Sequence, residues 1–369
     1  MSSRTRLYSI GNDAGSSSIK TIIIFKMNWT PDEYSGVTEK IMKTINKEKI
    51  KIVVIAGGPS SEYEVSLKTS AMVVKNLNPL KYEVTEIVVS KKGKWPVKIE
   101  SLKKTADLAF IAMHGEFGED GQIQKLLEKS KILYTGSDAK TSALTIDKIK
   151  TANKLKAAGV LVPTHLVFKS GATVDLKKIA KLGSKWVVKP VNGGSSIGTT
   201  IVSDIKEISK ALKLAFKFEK QAMIQPFVAG RELTCGLVEK GKKVIPLPPT
   251  EIIPLVSDFF NYEAKYQVGG SKEVTPPENL DPKIIKKIQT LALKVYKVLG
   301  ARHYARVDFI LDKENRLWVL EINTLPGMTE TSLLPQAAKV AGFSFGELLD
   351  MIISNARSGV GNKGIRRKA

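Results

Sequence analysis

Four polar side chains near the end of the chain stand in two pairs, Arg306 with Asp308 and Glu321 with Asn323. The members of each pair are two residues apart, so on a β-strand both side chains lie on the same face. Carboxylate and amide oxygens are the ligands that Mg²⁺ prefers, and it takes its remaining ligands from phosphates and water. A guanidinium beside such a metal would stabilise negative charge that develops during a reaction. The spacing therefore predicts a divalent metal site on two neighbouring strands.

An alternative interpretation is that these residues form the solvated polar faces of two edge strands. The residues beside them are strongly apolar, however, and include Phe309, Ile310 and the run 317–320. Such neighbours indicate buried strands, where an acid without a partner costs free energy. The metal site is therefore the favoured hypothesis.

A glycine-rich segment at 189–198 follows a predicted strand and reads Lys-Pro-Val-Asn-Gly-Gly-Ser-Ser-Ile-Gly. Glycine backbone can approach phosphates closely and donate N–H groups to them, and the hydroxyls of Ser195 and Ser196 would add further donors. Lys189 and Lys148 could each supply a positive charge to the same phosphates. Taken alone, a turn of this composition is weak evidence, and it gains weight only from the acidic pairs.

A second glycine–lysine pattern, Gly236 to Lys242, has the spacing of a phosphate-binding P-loop. Lys243, however, stands where that loop needs the Ser or Thr hydroxyl that holds magnesium. The segment also lies between two predicted strands rather than before a helix. We therefore interpret it as a hairpin turn.

Three further segments are unusual for connecting loops. Residues 57–67 place Glu64 in the first turn of a predicted helix, where an ordinary interaction with the helix dipole is the alternative. Residues 114–121 begin His-Gly-Glu and follow a predicted strand. Residues 260–266 contain three aromatic side chains and lie within a long irregular stretch, 257–280. A loop of that length in a compact domain is usually disordered or functional, and its aromatic residues favour a lid.

Strands and helices alternate over the first section of the chain. This alternation predicts an open parallel sheet, doubly wound by helices, whose ligands bind beyond the carboxyl ends of the strands. The later sections mix strands and helices in an α+β pattern. We therefore predict an N-terminal α/β substrate domain at 50–140, a small central α+β domain at 141–229 and a C-terminal α+β catalytic domain at 230–358. A leader at 1–49 and a basic tail at 359–369 would flank them.

The periodicity of apolar residues sets the bounds of the predicted elements. The strands are 50–56, 82–89, 108–113, a strand that ends at 168, 186–191, 223–228, 232–238, 243–247, 305–311 and 316–322. The helices are 60–77, 121–127, 143–157, 176–182, 204–216, 282–299, 330–341 and 345–355.

The composition of the 369 residues excludes several classes of protein. Hydrophobic residues make up 43%, which suits a globular protein, and no apolar run approaches the ~20 residues that a membrane-spanning helix needs. The single cysteine, Cys235, excludes an internal disulfide, and the three separated histidines cannot form a zinc cluster. These features predict a protein of a reducing compartment, the cytoplasm.

The formal net charge of +22 has two interpretations. It could attract nucleic acid or an acidic membrane, or it could be lysine dispersed over solvated surfaces. Residues 1–49 carry little of the excess, and the chain lacks the clusters of aromatic and arginine residues expected of a nucleic-acid platform. Dispersed lysine is therefore favoured, with no nucleic-acid or membrane partner.

The leader is rich in serine and has no sustained periodicity. We therefore expect the functional protein to begin near Met42. Deletion of residues 1–41 should leave folding and activity intact.

With these motifs the sequence resembles the D-alanine–D-alanine ligases of the ATP-grasp superfamily. The resemblance runs from about Ile50 to Ile353 in the family's order, and its motifs are at 57–67, 114–121, 134–137, 189–198, 262–266, 306–308 and 321–332. It implies the ATP-grasp fold and an enzyme that joins two D-alanines for peptidoglycan synthesis. It also implies ATP as cofactor, D-alanine as substrate and a homodimer.

The resemblance implies an ATP site that spans the middle of the chain. Its residues would be Lys148, Lys189, Ser195 and Ser196 at the phosphates, Glu232 at the ribose, Gln225, Phe227 and Val228 at the adenine, and Lys265. The Gln225-Pro226 pair departs from the Glu-Lys that the family often has, which affects the contact with the adenine amino group.

The resemblance also assigns the reacting groups. The ligands of two Mg²⁺ ions, or of Mn²⁺ in their place, would be Asp308, Glu321 and Asn323. The oxyanion of the tetrahedral intermediate would be held by Arg306 and the backbone of Gly327. The substrate contacts would be Glu64 at the ammonium of the first D-alanine, His114, and Ser332 at the carboxylate of the second. A network of Glu64, Ser195 and Tyr266 would tie down the lid, and Tyr63 replaces a commonly basic or imidazole side chain.

The implied chemistry needs no nucleophilic side chain. ATP would phosphorylate a carboxylate, the amine of a second amino acid would attack the acyl phosphate, and phosphate would leave. Ligases that make D-alanyl-D-serine or D-alanyl-D-lactate are the nearest alternatives, and Tyr266 favours the dipeptide over the depsipeptide. The alternative from another functional class is a basic nucleic-acid-binding protein that keeps the ligase fold but has lost the activity. In such a protein the metal ligands would be replaced, whereas Asp308, Glu321 and Asn323 are all present.

Overall fold

The computed structural model describes residues 48–255 and 270–358 of the chain. Most of the predicted leader, the aromatic segment at 260–266 and the basic tail lie outside these ranges. Lys265 and Tyr266 therefore lie outside the described residues, and their assigned roles stay predictions.

A three-stranded parallel sheet forms the first section, with strand order β2-β1-β3. Its central strand is buried from Ile52 to Gly57, which explains why its sequence is a continuous apolar run rather than an alternating one. The predicted parallel sheet is therefore confirmed. Its elements are β1 Ile50–Gly57, α1 Tyr63–Asn76, β2 Tyr82–Val89, α2 Leu102–Thr105, β3 Leu108–Ile111 and α3 Gln122–Lys129, with a short 3-10 helix at Ile99–Ser101.

An antiparallel sheet of four strands forms the middle section, in the order β4-β7-β5-β6. The prediction of one helix from 143 to 157 is wrong, because the chain breaks it into two at Asp147. The Asp147 backbone is extended, and its carboxylate accepts hydrogen bonds from the N–H groups of Ile149 and Lys150, which caps a new helix. The elements are α4 Ala139–Ile146, α5 Lys148–Ala157, β4 Leu166–Lys169, α6 Leu176–Ala180, β5 Trp186–Pro190, β6 Thr200–Val202, α7 Ile208–Ala215 and β7 Gln221–Pro226, with a 3-10 helix at Ile205–Glu207.

A larger antiparallel sheet forms the last section, with the order β11-β10-β8-β12-β13 and β9 paired to β8. The prediction that 257–280 is irregular is wrong at 271–274, which form an edge strand on β10. This strand is polar, and its pairing depends on backbone hydrogen bonds rather than on apolar periodicity. The elements are β8 Arg231–Lys240, β9 Lys243–Pro246, β10 Thr250–Pro254, β11 Ser271–Val274, α8 Pro282–Leu299, β12 Tyr304–Leu311, β13 Leu317–Asn323, α9 Leu333–Val340 and α10 Phe345–Arg357.

Three main clusters of buried side chains hold these sheets to their helices. One joins the first sheet, through residues such as Phe110, to α9 and α10 through residues such as Leu334 and Ile352. The second lies between the large sheet and α8, and the third between the middle sheet and α7. The last two helices therefore complete the core of the first section. The domain limits predicted from the sequence, at 140 and at 229, stay predictions. Among the described residues no helix has the length and apolar character to cross a membrane.

His303 lies at the junction between the first section and the large sheet. The histidine is 1% exposed, and its Nδ1 accepts a hydrogen bond of 3.0 Å from the Gly136 N–H. Burial, together with the positive charge of Arg302, lowers the pKa of His303 to about 3. The ring is therefore neutral in the folded protein near pH 6.5, where the histidine of an unfolded chain takes up a proton.

We expect this histidine to make the fold acid-sensitive. The unfolded chain binds a proton near pH 6.5 and the folded chain does not, so the free energy of unfolding should fall by about 2 kcal/mol between pH 7 and pH 5 through this group. His303→Asn keeps an acceptor and tolerates the φ of 65°. Urea unfolding should therefore give a shallower pH slope for the variant. Equal slopes for the two proteins would contradict a neutral buried His303.

Candidate active site

Two adjoining cavities open between the sheets, and both are lined by Lys148, Gly193, Gly194 and Glu321. The first cavity lies between the middle sheet and the large sheet, and its wall includes Lys189, Glu232 and Asp308. The second lies against the first section. Its lining includes Glu62, His114, Ser195, Arg306, Asn323, Gly327 and Ser332. The cavities thus bring most of the predicted site residues to one cleft.

The two polar pairs face one another on neighbouring antiparallel strands. In the register of β12 and β13, Arg306 stands opposite Asn323 and Asp308 opposite Glu321. The Arg306 guanidinium donates two hydrogen bonds of 2.8 Å to the Asp308 carboxylate, which also accepts one of 2.7 Å from the Thr234 hydroxyl. The residue spacing in the sequence therefore predicted the correct strand face and the correct neighbours.

The charge on Arg306 is stabilised by this environment. Burial by itself would lower the pKa of Arg306, but the Asp308 carboxylate and then Glu321 outweigh it, so the pKa is raised. The guanidinium is therefore charged whenever the fold is intact, and it presents a fixed positive charge to the second cavity.

The residues at this point can be compared with what a hard cation needs. Within 48–255 and 270–358, no three His, Cys, Asp or Glu side chains form a complete metal cluster. Two carboxylates and one amide are instead available in the adjoining cavities: Asp308 lines the first, Asn323 the second and Glu321 both. This donor set fits Mg²⁺, which binds to few protein oxygens when phosphates and water supply the rest.

Two lysines and the glycine-rich segment line the same cleft as the acids. The Lys148 ammonium donates a hydrogen bond to the Gly193 carbonyl and lies 3.5 Å from the Glu321 carboxylate. Lys189 extends from β5 into the first cavity. Ser195 and Ser196 both have positive φ, 53° and 57°, so the backbone turns sharply here. The arrangement gathers cationic and N–H groups beside the acidic pair, as an anionic ligand requires.

The far end of the first cavity is a slot with apolar walls. Gln225, Phe227 and Val228 line its edge, and Glu232 lines it from β8. Other apolar side chains of the lining include Val187, Ile201, Ile310 and Leu320. A flat aromatic base would be accommodated between such walls, with polar groups at the rim to orient it.

Glu64 is not in the cleft. Its side chain is 68% exposed and forms an ion pair of 2.9 Å with Lys91 on the surface. Glu62, two residues earlier, lines the second cavity, is 6% exposed and accepts a hydrogen bond from the Ser195 hydroxyl. Glu62 was not among the predicted site residues, because the predicted helix covered 60–77, whereas α1 begins only at Tyr63. Its position in the loop beyond the carboxyl end of β1, where open parallel sheets bind their ligands, could have identified it as a site residue.

His114 and Glu119 meet at the first-section wall of the cleft. The His114 Nδ1 lies 3.6 Å from the Glu119 carboxylate, which the sequence analysis had not selected. Burial alone would lower the pKa of His114, but the Glu119 carboxylate outweighs it and raises the pKa. Both residues line the second cavity.

Gly327 and Ser332 lie together at the other wall of the second cavity. A Cβ atom at Gly327 would approach the Ser332 hydroxyl to 2.7 Å, so a larger residue at this position would have to displace that hydroxyl. The Ser332 hydroxyl accepts a hydrogen bond of 2.9 Å from the Thr329 N–H. Both residues line the second cavity, as Arg306 does, and their assigned roles stay predictions.

The chain matches two family models that together cover most of the described residues. The model for the D-ala D-ala ligase N-terminus matches residues 51–106 and 96–137, and the model for the D-ala D-ala ligase C-terminus matches residues 155–354. The chain is 40% identical to the D-alanine–D-alanine ligase of Clostridium beijerinckii over 83% of this chain and 98% of the relative.

Solved structures of the same kind have a similar fold. The D-alanine–D-alanine ligase from Bacillus anthracis, in complex with ATP, is 32% identical with a TM-score of 0.71, over 84% of this chain and 99% of that one. The VanG D-Ala:D-Ser ligase from Enterococcus faecalis is 31% identical with a TM-score of 0.73, over 84% and 100%. With its ATP-grasp fold and these relatives, the chain belongs to the D-alanine–D-alanine ligase family of ATP-dependent ligases.

Proposed function

We propose that the cleft binds ATP in the first cavity and two D-alanines in the second, and that it joins them as D-alanyl-D-alanine for peptidoglycan precursors. The observation that carries this proposal is the position of Arg306, Asp308, Glu321 and Asn323 where the two cavities meet. A phosphate from the first cavity and a carboxylate from the second would meet beside these residues.

Each step of the ligation has a residue suited to it. Lys148 and Lys189 would neutralise the ATP phosphates while the terminal phosphoryl group passes to the carboxylate of the first D-alanine. This transfer would give D-alanyl phosphate and ADP. The amine of the second D-alanine would attack the acyl phosphate and lose a proton, and phosphate would leave. Arg306 and the Gly327 N–H would stabilise the oxyanion formed in that attack. Catalysis would thus come from positioning and charge neutralisation.

The metal ions would be held by Asp308, Glu321 and Asn323. When bound, Mg²⁺, or Mn²⁺ in its place, would neutralise charge on the transferring phosphoryl group. Ser195 and Ser196 would donate to the phosphates from the glycine-rich turn, Glu232 would contact the ribose, and Gln225, Phe227 and Val228 would surround the adenine.

A second candidate acceptor is D-serine, because the VanG neighbour is described as a D-Ala:D-Ser ligase. D-lactate is a third candidate acceptor, but Tyr266 favours a dipeptide product over a depsipeptide in the sequence-based interpretation. Phosphate release from ATP should be measured with D-alanine, L-alanine, D-serine and D-lactate in parallel. We expect D-alanine alone to give the fastest ADP formation. Faster turnover with D-alanine plus D-serine, or none with D-alanine, would contradict the proposal.

The assembly and partners of the chain remain predictions. A homodimer is expected, and sedimentation equilibrium would measure it. The absence of a nucleic-acid partner would be tested by RNA and heparin binding at moderate salt, where a nonspecific cationic surface loses affinity steeply.

Glu62 rather than Glu64 should receive the ammonium of the first D-alanine. Glu62→Gln removes the negative charge from the cleft, so the KM for D-alanine should rise about tenfold to a hundredfold, as for a lost charged hydrogen bond. Glu64→Gln is the matched control, because it makes the same change at the surface and should leave the KM within twofold. A larger effect from Glu64→Gln would reverse the assignment.

A further inference from the structure

The segment between Asn323 and Gly327 is held from three sides at Leu325. The Leu325 N–H donates a hydrogen bond of 2.9 Å to the Asn323 side chain, and its carbonyl lies 3.1 Å from the His114 Nδ1. Its side chain is 1% exposed, and a Cβ atom at Gly136 would come within 2.8 Å of it. Leu325 therefore connects the first section of the chain to the turn that carries Gly327.

The hydrogen bond between His114 and Leu325 fixes which ring nitrogen of the histidine carries a proton. A carbonyl oxygen can only accept, so Nδ1 of His114 must carry the proton in this hydrogen bond. The other ring nitrogen, Nε2, lies 2.9 Å from the Thr69 hydroxyl. Both nitrogens are thus engaged within the protein, and His114 is 5% exposed. Its geometry suits a residue that positions other groups better than one that binds a substrate through a ring nitrogen.

Thr69 is the remote end of this chain of hydrogen bonds. It lies on α1, is 1% exposed and does not line either cavity. A hydroxyl at this depth orients the imidazole, because the ring can turn only by breaking the bond at Nε2. The imidazole in turn holds the carbonyl of Leu325, two residues before Gly327.

We propose that Thr69 is a positioning residue for the ligation, and that it acts through His114 and Leu325 on the Gly327 N–H. The proposal rests on the proposed function, in which that N–H stabilises the oxyanion. Oxyanion donors act over a narrow range of distance, so a small displacement of the turn should weaken catalysis while ATP still binds. It also gives Gly136 of the 134–137 motif a role, since a side chain there would displace Leu325 and would strain a backbone with φ of 93°.

The test replaces the Thr69 hydroxyl with a methyl group of similar shape. Thr69→Val should lower kcat about tenfold with the KM for ATP within twofold of the wild-type value, since misplacement by 1 Å can cost about a hundredfold. Thr69→Ser restores the hydroxyl and should recover kcat to within twofold. A wild-type kcat for Thr69→Val, or failure of the serine variant to recover it, would overturn the proposal.

Ser70→Ala is the matched control. Ser70 is the next residue on α1, is also buried, and donates its hydroxyl to Glu86 rather than to His114. It should lower the melting temperature as much as Thr69→Val does while kcat stays within twofold. An equal loss of kcat in both variants would overturn the positioning role and leave only destabilisation.

A spectroscopic measurement separates this proposal from the proposed function. Nitrogen-15 NMR of the imidazoles should report a protonated Nδ1 for His114 in the wild type and in Thr69→Ser, and an altered Nε2 shift in Thr69→Val. This result does not depend on turnover, so a chain that ligates a different amino acid would still pass it. An unchanged Nε2 shift in Thr69→Val would overturn the contact itself.

Discussion

Replacing Glu321 by glutamine is expected to lower kcat about a thousandfold, at the upper end of what loss of one electrostatic contact to a transition state costs. Glu321 stands opposite Asp308 and lines both cavities. Glutamine has nearly the same shape but no charge, so it should weaken Mg²⁺ binding while the strand pairing persists. Steady-state ADP formation over a range of Mg²⁺ concentrations would measure the change.

The control for this prediction is Glu314→Gln. Glu314 lies on the exposed turn between β12 and β13 and pairs with Arg316 at 3.0 Å. It undergoes the same chemical change away from the cleft, and turnover should stay within twofold. Near-normal activity of Glu321→Gln, with an unchanged requirement for Mg²⁺, would refute the metal role of Glu321.

Replacing Arg306 by lysine is expected to lower kcat about a hundredfold or more. The guanidinium binds both oxygens of Asp308 at once, and a lysine ammonium cannot reproduce that planar pair of bonds. The charge would remain, but the carboxylate of Asp308 and the oxyanion would lose a fixed partner. Pre-steady-state measurement of acyl phosphate and dipeptide formation would locate the affected step.

Arg316→Lys provides the corresponding control. Arg316 also donates to a carboxylate, from Nε to Asp312 at 2.7 Å, but on the exposed turn. Its replacement should change kcat less than twofold. If Arg306→Lys retained wild-type kcat, charge alone would suffice and the bidentate geometry would have no catalytic role.

Local patterns in the sequence were sufficient for several parts of the structure. Helix α8 has the predicted bounds because its ends are encoded locally, by Asp281 as N-cap, Pro282 in the first turn and Gly300 with φ of 82° after the last residue. The strands β12 and β13 were recognisable from their apolar residues. Their polar pairs fell on one face because side chains alternate along any strand.

Other parts depended on contacts between residues far apart in the chain. The choice of Glu62 over Glu64 rests on where α1 begins and on a hydrogen bond to Ser195, 133 residues away. The edge strand β11 has no apolar pattern and exists because β10 offers it backbone partners. The internal role of His114 depends on Thr69 and Leu325, which no motif links to it.

The amino-acid sequence by itself determined the family, the order of the sheets along the chain and the residue types that line the cleft. Only the tertiary structure decided which acid faces the second cavity and which side chains hold the Gly327 turn. The physical reason is that periodicity and capping act within one element, whereas the direction of a side chain in a cleft is set by the packing of several elements at once.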